Sequence, residues 1–454
     1  MSKTILLLNP PGPKRLYRDT SCDTLSKANY VWKPKGHILF STIIPADWEY
    51  NFIDASIDSL SPEQVYDAIA KNKPNIIVMA MSSVIWDQDL AFLKEIKNMF
   101  PDIYCIVFGS LLIDKLFFDI VMQYADEVVY DPLTYDLRNY NSHDKNFEMI
   151  KKAQGNKKPT FVKSFSPKHE LFDGKGYRWP FVKHFKYAPV YTQFGCPYSC
   201  SYCPQSLTSV TVRYEDDVKN EIKNIYDAGY KEIHFGDETF GSPKDYVKKL
   251  LNWMIKENFN LSWSGYTYPG LIEKKFLEVM KLSGCHTLVI GIDSADFNLL
   301  KEYGRNVKKE RTFQFISDCH ELNIDVCGDF ILGLEGEDER AVLKTIDFAV
   351  SCGVDYASFN VAQPLAGSIL RDKIIKAGII DEKSIGHDTA GFNMPGSSMI
   401  NSKHLKELHS LAVRRFYLRP KYIIKRLSKI RSIEEFALRS IEGLGVLKNA
   451  MLTI

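Results

Sequence analysis

The chain has 454 residues, of which 45% are apolar and 25% charged, an ordinary balance for a globular protein of two or three domains. Its 58 basic and 56 acidic residues leave a formal charge of +2, so composition does not indicate a nucleic-acid binder. No apolar run of about 18 residues predicts a membrane span, and the apolar start of the chain is too short for a secretion signal. Nine cysteines, an odd number, favour a reducing compartment, and we expect a cytoplasmic protein.

Residues 1–135 alternate between strand and helix patterns. Strands are predicted at residues 4–9, 50–54, 75–81, 104–108 and 127–129. Helices are predicted at 89–100 and from a capping sequence at 61–63. This alternation predicts an α/β domain with a doubly wound, Rossmann-like parallel sheet, whose ligands bind beyond the carboxyl ends of the strands. Residues 136–187 are polar and weakly periodic, and we predict a connector there.

A second β/α series occupies residues 188–375. Its strands are predicted at residues 190–194, 232–235, 261–266, 287–290, 325–331 and 356–361. Helices are predicted between them at 216–226, 272–282 and 311–322. Six β/α units favour a barrel or partial barrel over an open sheet, although the sequence does not decide between these arrangements. In each of them, catalytic groups gather at the carboxyl ends of the strands.

Residues 376–454 are predicted to form a helical region with a basic bias. Residues 401–454 hold twelve Lys or Arg and four Glu, and the densest basic stretch is 414–420. This stretch indicates either a solvated helix face or a contact to an anionic substrate.

Three of the cysteines fall within eight residues. Cys196, Cys200 and Cys203 follow a C-x3-C-x2-C spacing after the predicted strand 190–194. Thiolates are soft ligands for iron–sulfur clusters or zinc, but a structural zinc takes four protein ligands and no fourth Cys or His lies close by. Three thiolates would leave one iron of a [4Fe–4S] cluster open to substrate or cofactor. A three-ligand zinc site and buried structural thiols are the alternatives.

This spacing, with Tyr202 directly before the third cysteine, resembles the signature of the radical S-adenosylmethionine (SAM) superfamily. The resemblance implies a [4Fe–4S] cluster held by Cys196, Cys200 and Cys203, whose open iron chelates the amino and carboxylate groups of SAM. It also implies that the reduced cluster cleaves SAM to a 5′-deoxyadenosyl radical. Residues 188–375 would then be the partial (β/α)6 barrel of that superfamily.

Further segments resemble the superfamily's SAM-binding motifs. Residues 235–238 resemble the segment that holds the SAM amino group, and Asp293 stands where the family more often has Glu. Ile331 would pack on the adenine, and Gln363 begins the turn that closes the last strand. The residues implied to bind SAM are Tyr202, Gly236, Asp237, Glu238, Asp293, Ser294, Ile331 and Gln363. For these segments, plain surface or strand-to-helix turns are the alternative.

A Rossmann-like domain before such a barrel resembles the cobalamin-binding class of the superfamily. The residues implied to contact cobalamin are Asn9, Pro10, Ser82, Ser83, Gly109 and Ser110. No Asp-x-His-x-x-Gly motif offers a lower cobalt ligand, and a Gly-Ser pair at 109–110 replaces the usual Gly-Gly. These departures leave open a shifted cobalamin site, or a structural domain that binds none. His37 and His234 could contact a cofactor, but a lone His is more often a packing residue.

The resemblance implies a radical SAM enzyme that performs cobalamin-dependent C-methylation of an unactivated carbon. The alternatives are a radical SAM enzyme that rearranges, cyclises or joins carbon or sulfur centres without methyl transfer, and a non-catalytic metal-binding protein. The implied partners are a small-molecule or biosynthetic-intermediate substrate and a low-potential electron donor of the flavodoxin or ferredoxin type. No catalytic side chain is predicted, and the substrate is not readable from the sequence.

Overall fold

The computed structural model describes residues 3–20, 23–26, 30–141, 147, 156–174, 176–385, 395–430 and 432–451. Cys22, one of the nine cysteines, lies outside them, and the other eight are free. The strands are β1 (Thr4–Asn9), β2 (Leu16–Tyr17), β3 (Thr24–Leu25), β4 (Glu49–Asp54), β5 (Ile76–Ala80), β6 (Tyr104–Phe108), β7 (Glu127–Val128), β8 (Thr160–Val162), β9 (Tyr187–Val190), β10 (Gln193–Phe194), β11 (Thr211–Arg213), β12 (Glu232–Phe235), β13 (Ser262–Thr267), β14 (Cys285–Asp293), β15 (Asp325–Leu332) and β16 (Tyr356–Val361).

The α-helices of the described residues alternate with the longer strands. They are α1 (Lys35–Ser41), α2 (Pro62–Asn72), α3 (Trp86–Met99), α4 (Lys115–Val121), α5 (Glu215–Asp227), α6 (Lys244–Lys256), α7 (Lys274–Leu282), α8 (Phe297–Glu302), α9 (Lys309–Glu321), α10 (Glu339–Ser351), α11 (Ile369–Lys376), α12 (Ser402–Tyr417), α13 (Pro420–Lys429) and α14 (Ile433–Met451). None of the described helices is long and apolar enough to cross a membrane.

The amino-terminal unit is a five-stranded parallel sheet in the order β4-β1-β5-β6-β7. All five strands were predicted to within one residue at each end. The central strand β5 is buried along its whole length, as expected of a strand covered by helices on both faces. Helix α2 begins at the predicted cap, where Ser61 and Gln64 form a reciprocal capping box. The Rossmann-like architecture is therefore confirmed.

The second unit is a six-stranded parallel sheet in the order β16-β15-β14-β13-β12-β9. Because β9 and β16 are both edge strands, the sheet is a partial barrel and does not close on itself. Its largest hydrophobic cluster lies between the strands and the surrounding helices and includes Trp263, Phe276 and Phe330. The predicted partial (β/α)6 barrel is confirmed.

The predicted strand 190–194 is wrong as a single element. The barrel strand β9 ends at Val190, and β10 pairs antiparallel with β11 in a separate three-stranded sheet, ordered β10-β11-β8. Pro189 is compatible with β9 because an edge strand does not need every N–H for pairing. The described part of the predicted connector supplies β8 and the start of β9, and its Phe172 and Trp179 are buried in the core.

The carboxyl-terminal helices close the amino-terminal edge of the barrel. Arg426 and Lys429 of α13 form ion pairs with Asp325 at the start of β15, and Lys429 also pairs with Asp355. In the basic stretch 414–420, Arg415 pairs with Asp347 on the surface and Arg419 donates to the Val350 carbonyl. The helical prediction for the described part of 376–454 is confirmed. These four basic side chains are engaged with the protein on the side opposite the strand carboxyl ends.

Candidate functional site

A cavity of about 350 Å³ lies at the carboxyl ends of the barrel strands, where the amino-terminal unit covers the barrel. We call it the main cavity. The barrel contributes the predicted SAM residues Tyr202, Gly236, Glu238, Asp293, Ile331 and Gln363, together with Cys203. The amino-terminal unit contributes Tyr17, Asp19, Trp32, Lys33 and Lys35. Residues from distant parts of the chain therefore meet in one interdomain space, the usual position of a ligand site.

The cysteine loop begins at a glycine that no other residue could replace. Gly195 has a φ of +83°, and an added Cβ would lie 1.8 Å from the Ser209 carbonyl oxygen. Lys157, in the predicted connector, then fastens the loop by donating to the carbonyls of Cys196, Gln205 and Thr208 at 2.8–3.0 Å. The loop path is thus held by side-chain and backbone contacts of the protein itself.

The three thiols are close enough to influence each other electrostatically. Burial raises the pKa of the Cys203 thiol well above its ordinary value, and Cys196 and Cys200 raise it further. Cys196 Sγ lies 3.4 Å from Thr239 Oγ1. Among the described residues, no three Cys, His, Asp or Glu side chains converge on a point where one ion could be held. An iron–sulfur cubane does not need such convergence, because each thiolate binds a different iron.

A buried arginine joins the cysteine loop to the end of β14. Arg305 Nε lies 2.8 Å from Asp293 Oδ2, Nη2 donates to the Gly291 carbonyl at 2.6 Å, and Nη1 lies 4.0 Å from Cys200 Sγ. Tyr202 donates its hydroxyl to the same Asp293 oxygen at 2.9 Å. Asp293 has a φ of +66°, a conformation that Asp tolerates better than most residues. Its carboxylate is therefore fixed between a cation and a phenol at the wall of the main cavity.

Two of the residues predicted for SAM do not line the main cavity. Asp237 is fully buried and accepts hydrogen bonds from the backbone N–H groups of Thr192 and Gln193 and from the Thr192 hydroxyl. Ser294 is also fully buried and donates to Glu337. Glu238, in contrast, lines the cavity and pairs with Lys35 across the domain boundary. Asp237 and Ser294 stabilise the turns that carry the cavity residues.

Comparison with known proteins identifies the barrel. The Radical SAM superfamily model matches residues 190–349, which include the cysteine loop and β10 to α10. The chain therefore carries a Radical SAM domain, as the resemblance of the cysteine spacing implied. An uncharacterized methyltransferase from Pyrococcus horikoshii is 28% identical over 240 residues, which cover 52% of each chain. Cytidylyl-2-hydroxyethylphosphonate methyltransferase from Streptomyces wedmorensis is 28% identical over 244 residues, which cover 50% of this chain and 45% of that protein.

The chain matches these curated relatives over only about half of their length. Among solved structures, the cobalamin-dependent radical SAM enzyme OxsB with aqua-cobalamin bound has a TM-score of 0.64 at 15% identity, covering 100% of this chain and 72% of that one. The methyltransferase TsrM from Kitasatospora setae, with cobalamin and a [4Fe–4S] cluster bound, has a TM-score of 0.59 at 15% identity, covering 83% of this chain and 75% of that one. At this identity the likeness shows the fold, including the amino-terminal sheet before the radical SAM barrel.

The loops predicted to contact cobalamin, which lie outside the matched Radical SAM region, are bridged by the chain's own side chains. Arg18 donates to Asn9 Oδ1 and the Pro10 carbonyl at 3.0 Å and to both carboxylate oxygens of Asp89. Asp89 Oδ2 also accepts from the Ser82 N–H. None of the six predicted residues lines the main cavity.

Asp23 makes a second bridge between the same loops. Its Oδ2 accepts from the Ser83 N–H and the Ser110 hydroxyl, both at 2.8 Å, and burial raises its pKa to about 6. Gly109 lies against the Met81 carbonyl, which an added Cβ would approach to 2.4 Å. The carboxyl edge of the amino-terminal sheet is thus closed by residues 18–23 as far as these are described.

The two histidines singled out in the sequence have different positions. His37 is buried within the amino-terminal unit, where its Nε2 lies 3.0 Å from the Leu8 carbonyl oxygen, and burial lowers its pKa to about 3. It is a packing residue. His234 lines the main cavity and stacks on Trp179, and burial lowers its pKa to about 3 as well. His234 therefore offers a neutral imidazole to the radical SAM site.

Glu337 makes the stability of the site depend on pH. Its carboxylate accepts from Ser294 Oγ and from the N–H groups of Gly333 and Leu334, yet burial raises its pKa to about 7. Because the pKa of this carboxyl is higher in the folded protein than in the unfolded chain, its contribution to stability is fully present below the unfolded pKa. That contribution is lost as pH rises through about 7.

Glu337→Gln removes this titrating group, so the free energy of unfolding should fall less steeply between pH 5 and 8 than in the unmodified protein, as measured by urea denaturation. Glu278→Gln, on the exposed side of α7, is the control, and an unchanged slope in Glu337→Gln would contradict the assignment.

Proposed function

We propose that this chain is a radical SAM methyltransferase that places a methyl group from SAM on a carbon atom of a small-molecule substrate. The observation that carries the proposal is the meeting of the three-cysteine loop with the predicted SAM residues at one interdomain cavity. The names of the two methyltransferase relatives support methyl transfer as the outcome.

The residues present fit a [4Fe–4S] cluster and SAM. Cys196, Cys200 and Cys203 would hold the cluster, and two cations, Lys157 and Arg305, lie at the loop to offset the charge of the thiolates. Gln205 is buried in the wall of the main cavity, and its Nε2 has no hydrogen-bond partner in the protein. A bound ligand could accept a hydrogen bond from this donor. When bound, the cluster supplies the electron for reductive cleavage of SAM.

The chain's own residues would then orient SAM and exclude water. Asp293, fixed by Arg305 and Tyr202, offers a preorganised acceptor for hydroxyl or ammonium groups. Ile331 offers an apolar surface for a flat base, and Glu238 presents a second carboxylate that Lys35 holds in place. Since these groups are already hydrogen-bonded in the protein, little reorganisation is needed when SAM binds.

The six residues predicted for cobalamin do not fit as its direct contacts in this arrangement, because Arg18 and Asp23 engage their loops. The main cavity of about 350 Å³ is little more than twice the roughly 150 Å³ that accommodates one benzene ring, so it does not contain a whole corrinoid. Support for cobalamin comes from the fold shared with OxsB and TsrM. Product analysis with and without hydroxocobalamin decides whether the reaction requires cobalamin.

The test is product analysis after anaerobic reconstitution with iron and sulfide. The protein is supplied with dithionite, SAM carrying a deuterated methyl group and a metabolite extract from its source, with and without hydroxocobalamin. We expect 5′-deoxyadenosine, S-adenosylhomocysteine and a deuterated product in similar yield. Formation of 5′-deoxyadenosine without S-adenosylhomocysteine would indicate a rearrangement or bond-forming reaction and would contradict methylation. Absence of both products would contradict a radical SAM activity. Equal yields without hydroxocobalamin would contradict cobalamin dependence.

We also propose a low-potential electron donor of the flavodoxin or ferredoxin type as the physiological partner. Replacing dithionite by reduced flavodoxin in the same reaction should sustain formation of 5′-deoxyadenosine.

A further inference from the structure

A second cavity of about 130 Å³ adjoins the main cavity inside the barrel. We call it the side chamber. It shares seven lining residues with the main cavity, so the two spaces adjoin each other: Tyr17, Thr24, Trp32, Trp179, Tyr266, Asp329 and Asn360. None of the residues predicted to bind SAM lines the side chamber, and its own wall includes Tyr30, Phe181 and Val289. The side chamber is therefore next to the cofactor residues but separate from them.

Four of the seven residues in the shared wall are aromatic, and the other three, Thr24, Asp329 and Asn360, are polar. The rings of Trp32 and Trp179 are 5.1 Å apart, Tyr17 packs edge-on to Trp32 at 4.6 Å, and Tyr266 packs edge-on to Trp179 at 5.7 Å. Burial raises the pKa of the Tyr17 and Tyr266 hydroxyls well above their ordinary value, so both remain neutral. Flat, neutral rings are the natural occupants of such a wall, because they gain stacking and edge-to-face contacts in addition to apolar burial.

Two buried donors in this wall lack partners. The indole Nε1 atoms of Trp32 and Trp179 are both buried without a hydrogen bond, and the Trp179 side chain is 3% exposed. Buried Trp N–H groups usually have an acceptor, and leaving one unsatisfied destabilises the folded protein. An acceptor atom on a bound molecule would satisfy them.

The volume of the side chamber limits the size of the ring that it can hold. An apolar cavity of roughly 150 Å³ takes benzene, so 130 Å³ accommodates one five- or six-membered ring and no fused pair. We propose that the side chamber binds a single unsaturated ring of the substrate, which carries a carbonyl oxygen or ring nitrogen for Trp32 and Trp179. The neighbouring substrate atoms then lie in the main cavity. This inference names the substrate class of the proposed methyltransferase and in that sense rests on it.

The test measures binding, not turnover. Benzamide, which has one ring and a carbonyl acceptor, is titrated against the reconstituted full chain and followed by ligand-observed NMR. Cyclohexanecarboxamide has the same acceptor on a saturated ring, and 2-naphthamide has a fused pair. We expect benzamide to bind at least about five-fold more tightly than each of these two. For the saturated ring, five-fold corresponds to about 1 kcal/mol of lost aromatic contact. The fused pair is too large for the side chamber. Equal affinity for the three amides, or no benzamide binding at millimolar concentration, would overturn the proposal.

Trp179→Phe keeps an aromatic ring and removes the N–H. It should weaken benzamide binding about five-fold, the loss expected for one neutral hydrogen bond. Trp253→Phe, on α6 where Trp253 packs against Phe259, is the matched control and should leave the affinity unchanged. An unchanged affinity in Trp179→Phe would overturn the role of the indole. Reductive SAM cleavage is measured in the same samples. Cleavage without benzamide binding would contradict the proposed ring site but not the proposed function. Benzamide binding without cleavage would contradict the proposed function but not the ring site.

Discussion

Replacing Cys200 by alanine is expected to abolish the [4Fe–4S] absorption and reductive SAM cleavage together. Cys200 is buried beside Arg305, and its loss leaves two thiolates for a cluster that needs three. The fall in 5′-deoxyadenosine formation should exceed the roughly 10- to 100-fold that losing an outer-shell partner of a metal ligand costs. Iron and sulfide content, the visible spectrum and 5′-deoxyadenosine yield are measured after anaerobic reconstitution.

The matched control is Cys285→Ala. Cys285 is buried in the same barrel, but it begins β14 and so lies at the opposite end of that strand from Asp293. It should retain both the spectrum and SAM cleavage. Persistence of cleavage in Cys200→Ala, or equal loss in the two variants, would show that the cluster is held elsewhere.

Replacing Arg18 by methionine is expected to destabilise the amino-terminal unit by about 3–5 kcal/mol, because it leaves the Asp89 carboxylate buried without its cation. Both side chains of the pair are 1% exposed, and Arg18 also satisfies Asn9, Pro10 and Ser56. The free energy of unfolding is measured by urea denaturation followed by circular dichroism.

Arg138→Met is the control, since Arg138 pairs with Asp47 on the surface and both side chains are 57% exposed. An exposed pair contributes about 0–1 kcal/mol. Adding Asp89→Leu to Arg18→Met should recover part of the lost stability by removing the unpaired charge. An effect of Arg18→Met no larger than that of the control would show that the closed loops do not depend on this bridge.

Most of the fold could be predicted because its signals are local. Buried apolar runs such as β5, bounded by turn residues, and the capping box at Ser61 depend on neighbours within a few positions. The error at 190–194 arose because two short strands of different sheets follow each other almost without interruption. An apolar pattern does not distinguish one strand from two when both are buried.

The cysteine loop was also readable, because its spacing is compact. The sequence did not show which residues after β12 reach the main cavity, because strand alternation ends with the strand at Phe235. Gly236 and Glu238 line the cavity, whereas Asp237 between them accepts hydrogen bonds from Thr192 and Gln193. Lys157 and Arg18 carried no local signal, because their partners are set by tertiary contacts up to 71 residues away.

The Lys157 clamp has a consequence for how the protein acquires iron. A single ammonium group satisfies three carbonyls around the cysteine loop, 39 to 51 residues further along the chain. These three hydrogen bonds are made by the chain itself and need no metal. Apoprotein stripped by a chelator should keep its scaffold and accept a new cluster without passing through an unfolded chain.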